Sequence, residues 1–196
     1  MKNKKLYLSL VLFSVSLIVL WLPVDNDAGT THCFGKCGVV DTGQTTSYDI
    51  GDDADYNPAG AQLSYTVNSD NTVTDNRTGL MWRRCSQGKT DDATCSGTAV
   101  TYTWTDALAQ CETEASDYSD WRLPNMKELF SIIKYEGTAP FIDQTAFPST
   151  VSSAYWVSTT YVPDPTIALY VNFGGGTVSG VNKINSNSVR CVRAGP

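Results

Sequence analysis

Residues 120–129 read Asp-Trp-Arg-Leu-Pro-Asn-Met-Lys-Glu-Leu, and they set the fold class. Asn125 and Glu128 have capping-box spacing: the Asn side chain takes an orphan N–H of the first turn, and the Glu reaches back to the cap. The spacing predicts a helix over 125–135, with Met126, Leu129, Phe130 and Ile133 on its buried face and Gly137 ending it. Upstream, 103–116 predicts another helix. Thr103 is its N-cap, and Trp104, Ala107, Leu108, Cys111 and Ala115 form an apolar stripe. Cys111 therefore points into the core.

Strands flank these helices. The segments 63–67, 72–74 and 80–83 alternate between turn-rich stretches. After a Pro-punctuated loop, strands resume at 154–159, 168–173, 177–181 and 188–193, with Gly174-Gly175-Gly176 as a hairpin turn. Strands, two helices, then strands define an α+β class with a mostly antiparallel sheet. Trp82, Trp104 and Trp121 read as core. Tyr155 and Trp156 alternate, so one is expected to face in and the other out.

The chain opens with Lys2, Lys4 and Lys5, followed by an uncharged apolar run from Leu6 to Leu22. That pattern predicts a secretory signal over 1–28, with an uncleaved N-terminal anchor as the alternative. The run is slightly short for a span of ~20 apolar residues. Six cysteines behind such a leader read as a disulfide framework. Cys85 and Cys95 bracket a polar loop, and a local bridge there is the simplest reading. Zinc is not indicated, because the cysteines lack paired finger spacing and His32 is the single histidine. The formal charge of −6 argues against nucleic acid and anionic membrane surfaces.

Residues 29–62 form a Gly-, Asp- and Thr-rich lead-in, read as an ordered arm or a loose linker, before a domain over 63–196. Within it, Asp52, Asp53 and Asp55 are the candidate calcium ligands, weighed against a solvated acidic turn. The alternation fits a calcium loop, but no downstream Glu completes the set. No other cofactor is expected.

The motifs DWRLPNMKEL (120–129), TVTDNRTGLMW (72–82), AYWVST (154–159) and VRCVR (189–193) together resemble the DUF1566 family. That family is named for the C-terminal domain of a Legionella collagen-like adhesin. The resemblance covers roughly residues 42–193. It implies a C-type-lectin-like fold related to formylglycine-generating enzymes, with a helix cysteine tied to the last strand. Here the matching pair is Cys111–Cys191, which leaves Cys33–Cys37 as a third bridge. It also implies an exported bacterial binding or adhesion module, located outside the cytoplasm.

The residue inventory argues against an enzyme. His32 lies outside the matched region, and the implied pairing leaves the domain no free thiol. No carboxylate spacing singles out a pair for glycoside hydrolysis. Arg122, Arg190 and Arg193 read as structural ion pairs, with Glu128 or Asp120 as partners. Arg83 and Arg84 face opposite sides of a strand, so no basic patch supports a sulfated polymer. Candidate ligand residues are Tyr155, Tyr161 and Tyr170, which offer rings for a sugar, and Asn172, Asn182, Lys183, Asn185 and Asn187 around the final hairpin. The expected partner is a glycan or a protein. The alternative is self-association into an envelope layer or filament.

Overall fold

The structure, a computed structural model, describes residues 42–56, 63–114 and 118–195. The expected leader and the Cys33–Cys37 bridge lie outside the described residues. The element order is α1 (Asp53–Tyr56), β1 (Tyr65–Val67), β2 (Thr72–Asp75), β3 (Leu80–Arg83), α2 (Trp104–Glu112), α3 (Met126–Phe130), β4 (Ala154–Thr160), β5 (Ile167–Asn172), β6 (Thr177–Asn182) and β7 (Val192–Ala194). Two antiparallel sheets result, β1-β2-β3-β7 and β4-β5-β6, and the class is α+β.

Turn chemistry fixes the first sheet. The Asp75 carboxylate accepts from the Arg77 N–H at 2.9 Å and the Thr78 hydroxyl at 2.7 Å, so it is buried yet satisfied. Gly79 follows at φ +73°, where an L side chain is strained. The turn sets the register that opposes Val73 and Trp82, and both enter one core with Leu129, Phe147, Tyr155 and Phe173. A second core gathers Met81, Ala107, Cys111, Trp121, Trp156, Ala168 and Cys191.

The β4-β5-β6 sheet lies between these cores, and this corrects the in/out expectation for Tyr155 and Trp156. Both are fully buried, Tyr155 in the first core and Trp156 in the second. Alternation assigns opposite faces, and here both faces are covered.

The caps are as the sequence indicates. Thr103 accepts from the Asp106 N–H at 3.4 Å, and α2 buries Ala107 and Cys111. The helix stops at Glu112, short of the expected 116, where Thr113 caps it and donates to the Ala109 carbonyl at 2.8 Å; residues 115–117 are outside the described set. Asn125 and Glu128 complete the capping box, at 3.0 and 2.8 Å. Arg122 grips the same Glu128 carboxylate through both terminal nitrogens, at 2.8 and 2.7 Å.

The helix α3 is shorter than predicted and ends at Phe130. The Ser131 hydroxyl donates to the Glu128 carbonyl at 2.7 Å, and the chain turns so that the consecutive Ile132 and Ile133 both enter the core. Ile133 belongs to the predicted helical stripe and Ile132 does not, so tertiary packing overrides the period. Phe130, expected inside, is left exposed.

The expected last strand, 188–193, is divided. Asn187 and Ser188 bridge to Tyr102 and Tyr155, and the chain then crosses to join β3 as β7. Residues 189–192 in this crossover are all fully buried. Cys191 is bonded to Cys111 of α2, and a second disulfide closes Cys85–Cys95. Arg193 pairs with Asp120 at 2.6 Å. Arg190 departs from the ion-pair expectation. Its guanidinium donates to the carbonyls of Arg83 (2.8 Å) and Arg84 and to the hydroxyls of Thr150 (2.8 Å) and Ser86 (3.3 Å).

The described part of the lead-in, 42–56, is an ordered arm on its own domain. Tyr135 donates its N–H to the Thr42 carbonyl at 2.8 Å, and Glu136 accepts from the Thr45 N–H at 2.7 Å and the Thr46 hydroxyl at 3.0 Å.

Loop-closure entropy grows with the logarithm of loop length. The bridge separated by 80 residues should therefore stabilise the fold by about 2 kcal/mol more than the one separated by 10. Urea unfolding of the Cys111→Ala/Cys191→Ala and Cys85→Ala/Cys95→Ala variants measures the difference. Equal losses contradict this account.

Glu128 provides a pH test. Desolvation raises its carboxyl, but the Arg122 guanidinium and the Asn125 N–H together hold it below its ordinary value. A carboxyl depressed in the folded state adds stability above its unfolded pKa of 4.5 and loses it as pH falls through the folded value. Stability should decline below pH 4.5, and Glu128→Gln should flatten that part of the slope. An unchanged slope in the variant shows that other carboxylates dominate.

Candidate functional site

Two turns meet at one end of the β4-β5-β6 sheet. One joins β4 to β5 over 161–166, where Pro163 and Pro165 each fix φ and stiffen the backbone. Asp164 accepts from the Thr166 hydroxyl at 2.7 Å and its N–H at 3.0 Å, and these bonds hold its carboxyl below the usual range. The other turn follows β6. The Asn182 side-chain oxygen accepts from the Ile184 N–H at 3.1 Å, and its carbonyl accepts from the Asn185 N–H at 3.0 Å. The Lys183 N–H donates to the Thr166 carbonyl at 2.9 Å and joins the two turns.

The start of α2 backs this end. The Trp104 N–H donates to the Lys183 carbonyl at 3.1 Å, and its indole N–H donates to the Val157 carbonyl at 2.8 Å. Lys183 Nζ sits 3.9 Å from the centre of the Trp104 ring and donates to the Thr160 hydroxyl at 2.9 Å. This is a cation–π contact, worth ~0.5–1 kcal/mol where partly exposed. Among the described residues Lys183 has no carboxylate partner, whereas Arg122 and Arg193 each have one and Arg83 has two. Asn187 exchanges backbone hydrogen bonds with Tyr102 at 2.9 and 3.0 Å. Its side-chain Nδ2 is buried with no partner among the described residues.

The rim is apolar. Val162 is 87% exposed, Ile184 81% and Tyr161 43%. Isolated exposed apolar side chains are ordinary; here two aliphatics and a tyrosine stand on two adjoining turns beside polar donors.

The structure thus brings Tyr161, Asn182, Lys183, Asn185 and Asn187 to one end of the sheet. Three of the expected residues are placed elsewhere. Tyr155 is fully buried. It packs edge-on against Phe173 and bonds its hydroxyl to Ser86 at 2.7 Å. Tyr170 is half-buried against the second core, on the other face, so no tyrosine cluster forms. Asn172 lies at the opposite end of β5, where its side chain accepts from the Gly174 N–H at 2.7 Å and builds the hairpin turn. Thr160, Trp104, Val162 and Ile184 were not indicated by the sequence reading. The signal for Ile184 was an aliphatic residue stranded among Asn, Lys and Ser.

The acidic turn does not gather its carboxylates. Asp52 accepts from the N–H groups of Tyr48 (2.7 Å), Ala54 (3.1 Å) and Asp55 (3.3 Å), and the Tyr48 bond chiefly holds its carboxyl down. Asp53 accepts from the Thr42 hydroxyl, and Asp55 from the Gly51 N–H at 2.8 Å. Each carboxylate satisfies a different local donor, capping α1 and tying down the arm. Among the described residues no three carboxylate, Cys or His groups are placed to hold a metal.

The Lcl C-terminal domain family model matches residues 71–193. The chain belongs to that family, the one whose motifs the sequence carries under the DUF1566 name. No curated protein matches the chain.

Because the acidic turn is self-satisfied, millimolar calcium and chelator should give the same melting temperature. A ligand of the native state alone raises stability by mass action, so a calcium-dependent rise means that the turn opens to bind.

Proposed function

We propose that this chain is an exported, non-catalytic binding or adhesion module that recognises a glycan or protein ligand through the turns at 161–166 and 182–187. The observation that carries the reading is Lys183. Its ammonium lies on Trp104, has no carboxylate partner among the described residues, and is bordered by short amides and exposed apolar groups. Asn182, Asn185 and Asn187 supply donors and acceptors that adapt to hydroxyls or peptide groups. The Trp104 edge, Tyr161, Val162 and Ile184 supply apolar contact.

Other features support the reading. The two disulfides fit a protein of an oxidising compartment. The family is that of an adhesin's C-terminal domain. A C-type-lectin-like fold is supported by a cysteine of α2 tied to the segment entering β7 and by loops displayed at a sheet end. The described cysteines are all oxidised, and no histidine falls among the described residues, so the thiol and imidazole chemistry of an enzyme has no carrier there. Among the described residues Arg83, Arg122, Arg190 and Arg193 are committed to carboxylates or carbonyls, which argues against a nucleic-acid surface built on them. No cofactor is needed for this role.

A glycan array, with a parallel protein array, on the full chain tests the proposal. Binding should persist on calcium chelation. Lys183→Ala and Asn185→Ala should each weaken it by about tenfold, roughly 1.4 kcal/mol. Asn172→Ala, at the far end of the sheet, should bind as the wild type does. Loss of binding in Asn172→Ala with none in Lys183→Ala moves the surface elsewhere and refutes the assignment.

A further inference from the structure

The sheet edges differ in how they are closed. Beside β7, Arg122 and Val192 exchange hydrogen bonds at 2.9 and 3.0 Å. Beside β4, Ser188 donates to the Ala154 carbonyl at 3.1 Å and accepts from the Trp156 N–H at 3.0 Å, while the Ser158 N–H donates to Pro124 at 2.8 Å. The edge strand β1 is only three residues long. The edge strand β6 has six residues, Thr-Val-Ser-Gly-Val-Asn, and its register with β5 is unbroken over all of them.

The hydrogen bond from Lys183 to Thr166 fixes which groups of β6 point outward. In antiparallel pairing, hydrogen-bonded and non-hydrogen-bonded pairs alternate. Thr177, Ser179 and Val181 therefore bond to β5, and the N–H and C=O groups of Val178, Gly180 and Asn182 point away from it. The Asn182 carbonyl is taken by Asn185. The outward groups of Val178 and Gly180 have no partner among the described residues. Natural edges of this length are guarded by lysine, proline or a bulge, and β6 carries none of these. Gly180 carries no side chain to shield the backbone, and a Cβ there would crowd the Ile167 side chain of β5 at 2.9 Å.

We propose that β6 is a homodimerisation edge. Two copies pair β6 antiparallel about a twofold axis at Gly180, so that Val178 of one copy lies opposite Asn182 of the other. The two three-stranded sheets then become one continuous sheet, β4-β5-β6-β6-β5-β4. The occupant is a second copy because the strip is self-complementary under a twofold, and because it is uncharged in a chain of net charge −6. Two copies repel over much of their acidic surface, and this neutral strip lets them approach. A strongly charged foreign strand finds no matching charge here. The strand spans roughly 20 Å, and a strand pair of that length buries less than the ~1,200 Å² of stable interfaces. The dimer is therefore weak and forms at high local concentration, as on a crowded surface.

Sedimentation equilibrium of the full chain over a dilution series should show a reversible dimer. Amide exchange at Val178 and Gly180 should slow several-fold as concentration rises. Ser179 and Val181, already bonded to β5, should not change. Ser179 is exposed and lies diagonally across the axis from its copy. Ser179→Lys should abolish the dimer at unchanged melting temperature, and mixing it with Ser179→Glu should restore association as a heterodimer. A chain monomeric at every concentration overturns the proposal, including the case in which its own N-terminal residues cover the edge. So does a dimer that survives Ser179→Lys, or protection at Val178 and Gly180 that ignores concentration.

Discussion

The fold depends on a buried crossover. Residues 189–192 carry the chain from one sheet to the other with none of their side chains reaching solvent. Buried backbone needs partners, and these are present: Gln87 donates to Val189 at 2.9 Å, Arg83 to Cys191 at 3.0 Å, and Arg122 to Val192 at 2.9 Å. Arg190 sits at the centre of the crossover. A buried guanidinium without a carboxylate is costly to desolvate. Burial pulls it down to about 10, so it stays charged at neutral pH. Four neutral oxygens and the Phe147 ring, 4.8 Å away, replace part of the lost hydration, while the buried Nε has no partner among the described residues. The arrangement explains why Ser86 and Thr150 are buried. It also clamps the end of β3 to the loop before β4. The disulfide at the neighbouring Cys191 adds α2 to the same junction.

Much of this was legible in the residues. Caps are local: Thr103, Asn125 and Glu128 act through neighbours three positions away, and the structure reproduces them. Ion pairing of Arg122 and Arg193 followed from the same logic, since the acids lie near in sequence or on the adjoining segment. The failures are tertiary. Tyr155 looked half-exposed because alternation assigns opposite faces, and only the fold shows that both faces of β4 are covered. The helix α3 lacks its predicted second half, because the chain turns after Phe130 and brings Ile132 and Ile133 into the core together. Arg190 looked like its neighbours in VRCVR, and only the crossover removes it from any carboxylate.

The candidate surface was legible where it is contiguous. Asn182, Lys183, Asn185 and Asn187 come from one turn, so reading them as a group needed no long-range information. Their company was hidden: Trp104 and Thr160 arrive from other elements. Asn172 was grouped with them by composition, yet β5 carries it to the other end of the sheet. The aspartates of the acidic turn left two readings open for a related reason. Alternating carboxylates serve a metal or cap a turn equally well, and the choice depends on whether backbone N–H groups reach them first.

The arm contact at Thr42 also decides how the module would be displayed. Thr42 meets Tyr135, whose hydroxyl reaches the Gly176 carbonyl at the hairpin between β5 and β6. The backbone thus comes in at the hairpin pole, while Lys183 and its neighbours crown the other, one strand length or roughly 20 Å away. A domain held through the Thr42 end would therefore present the turns at 161–166 and 182–187 at the pole away from that attachment.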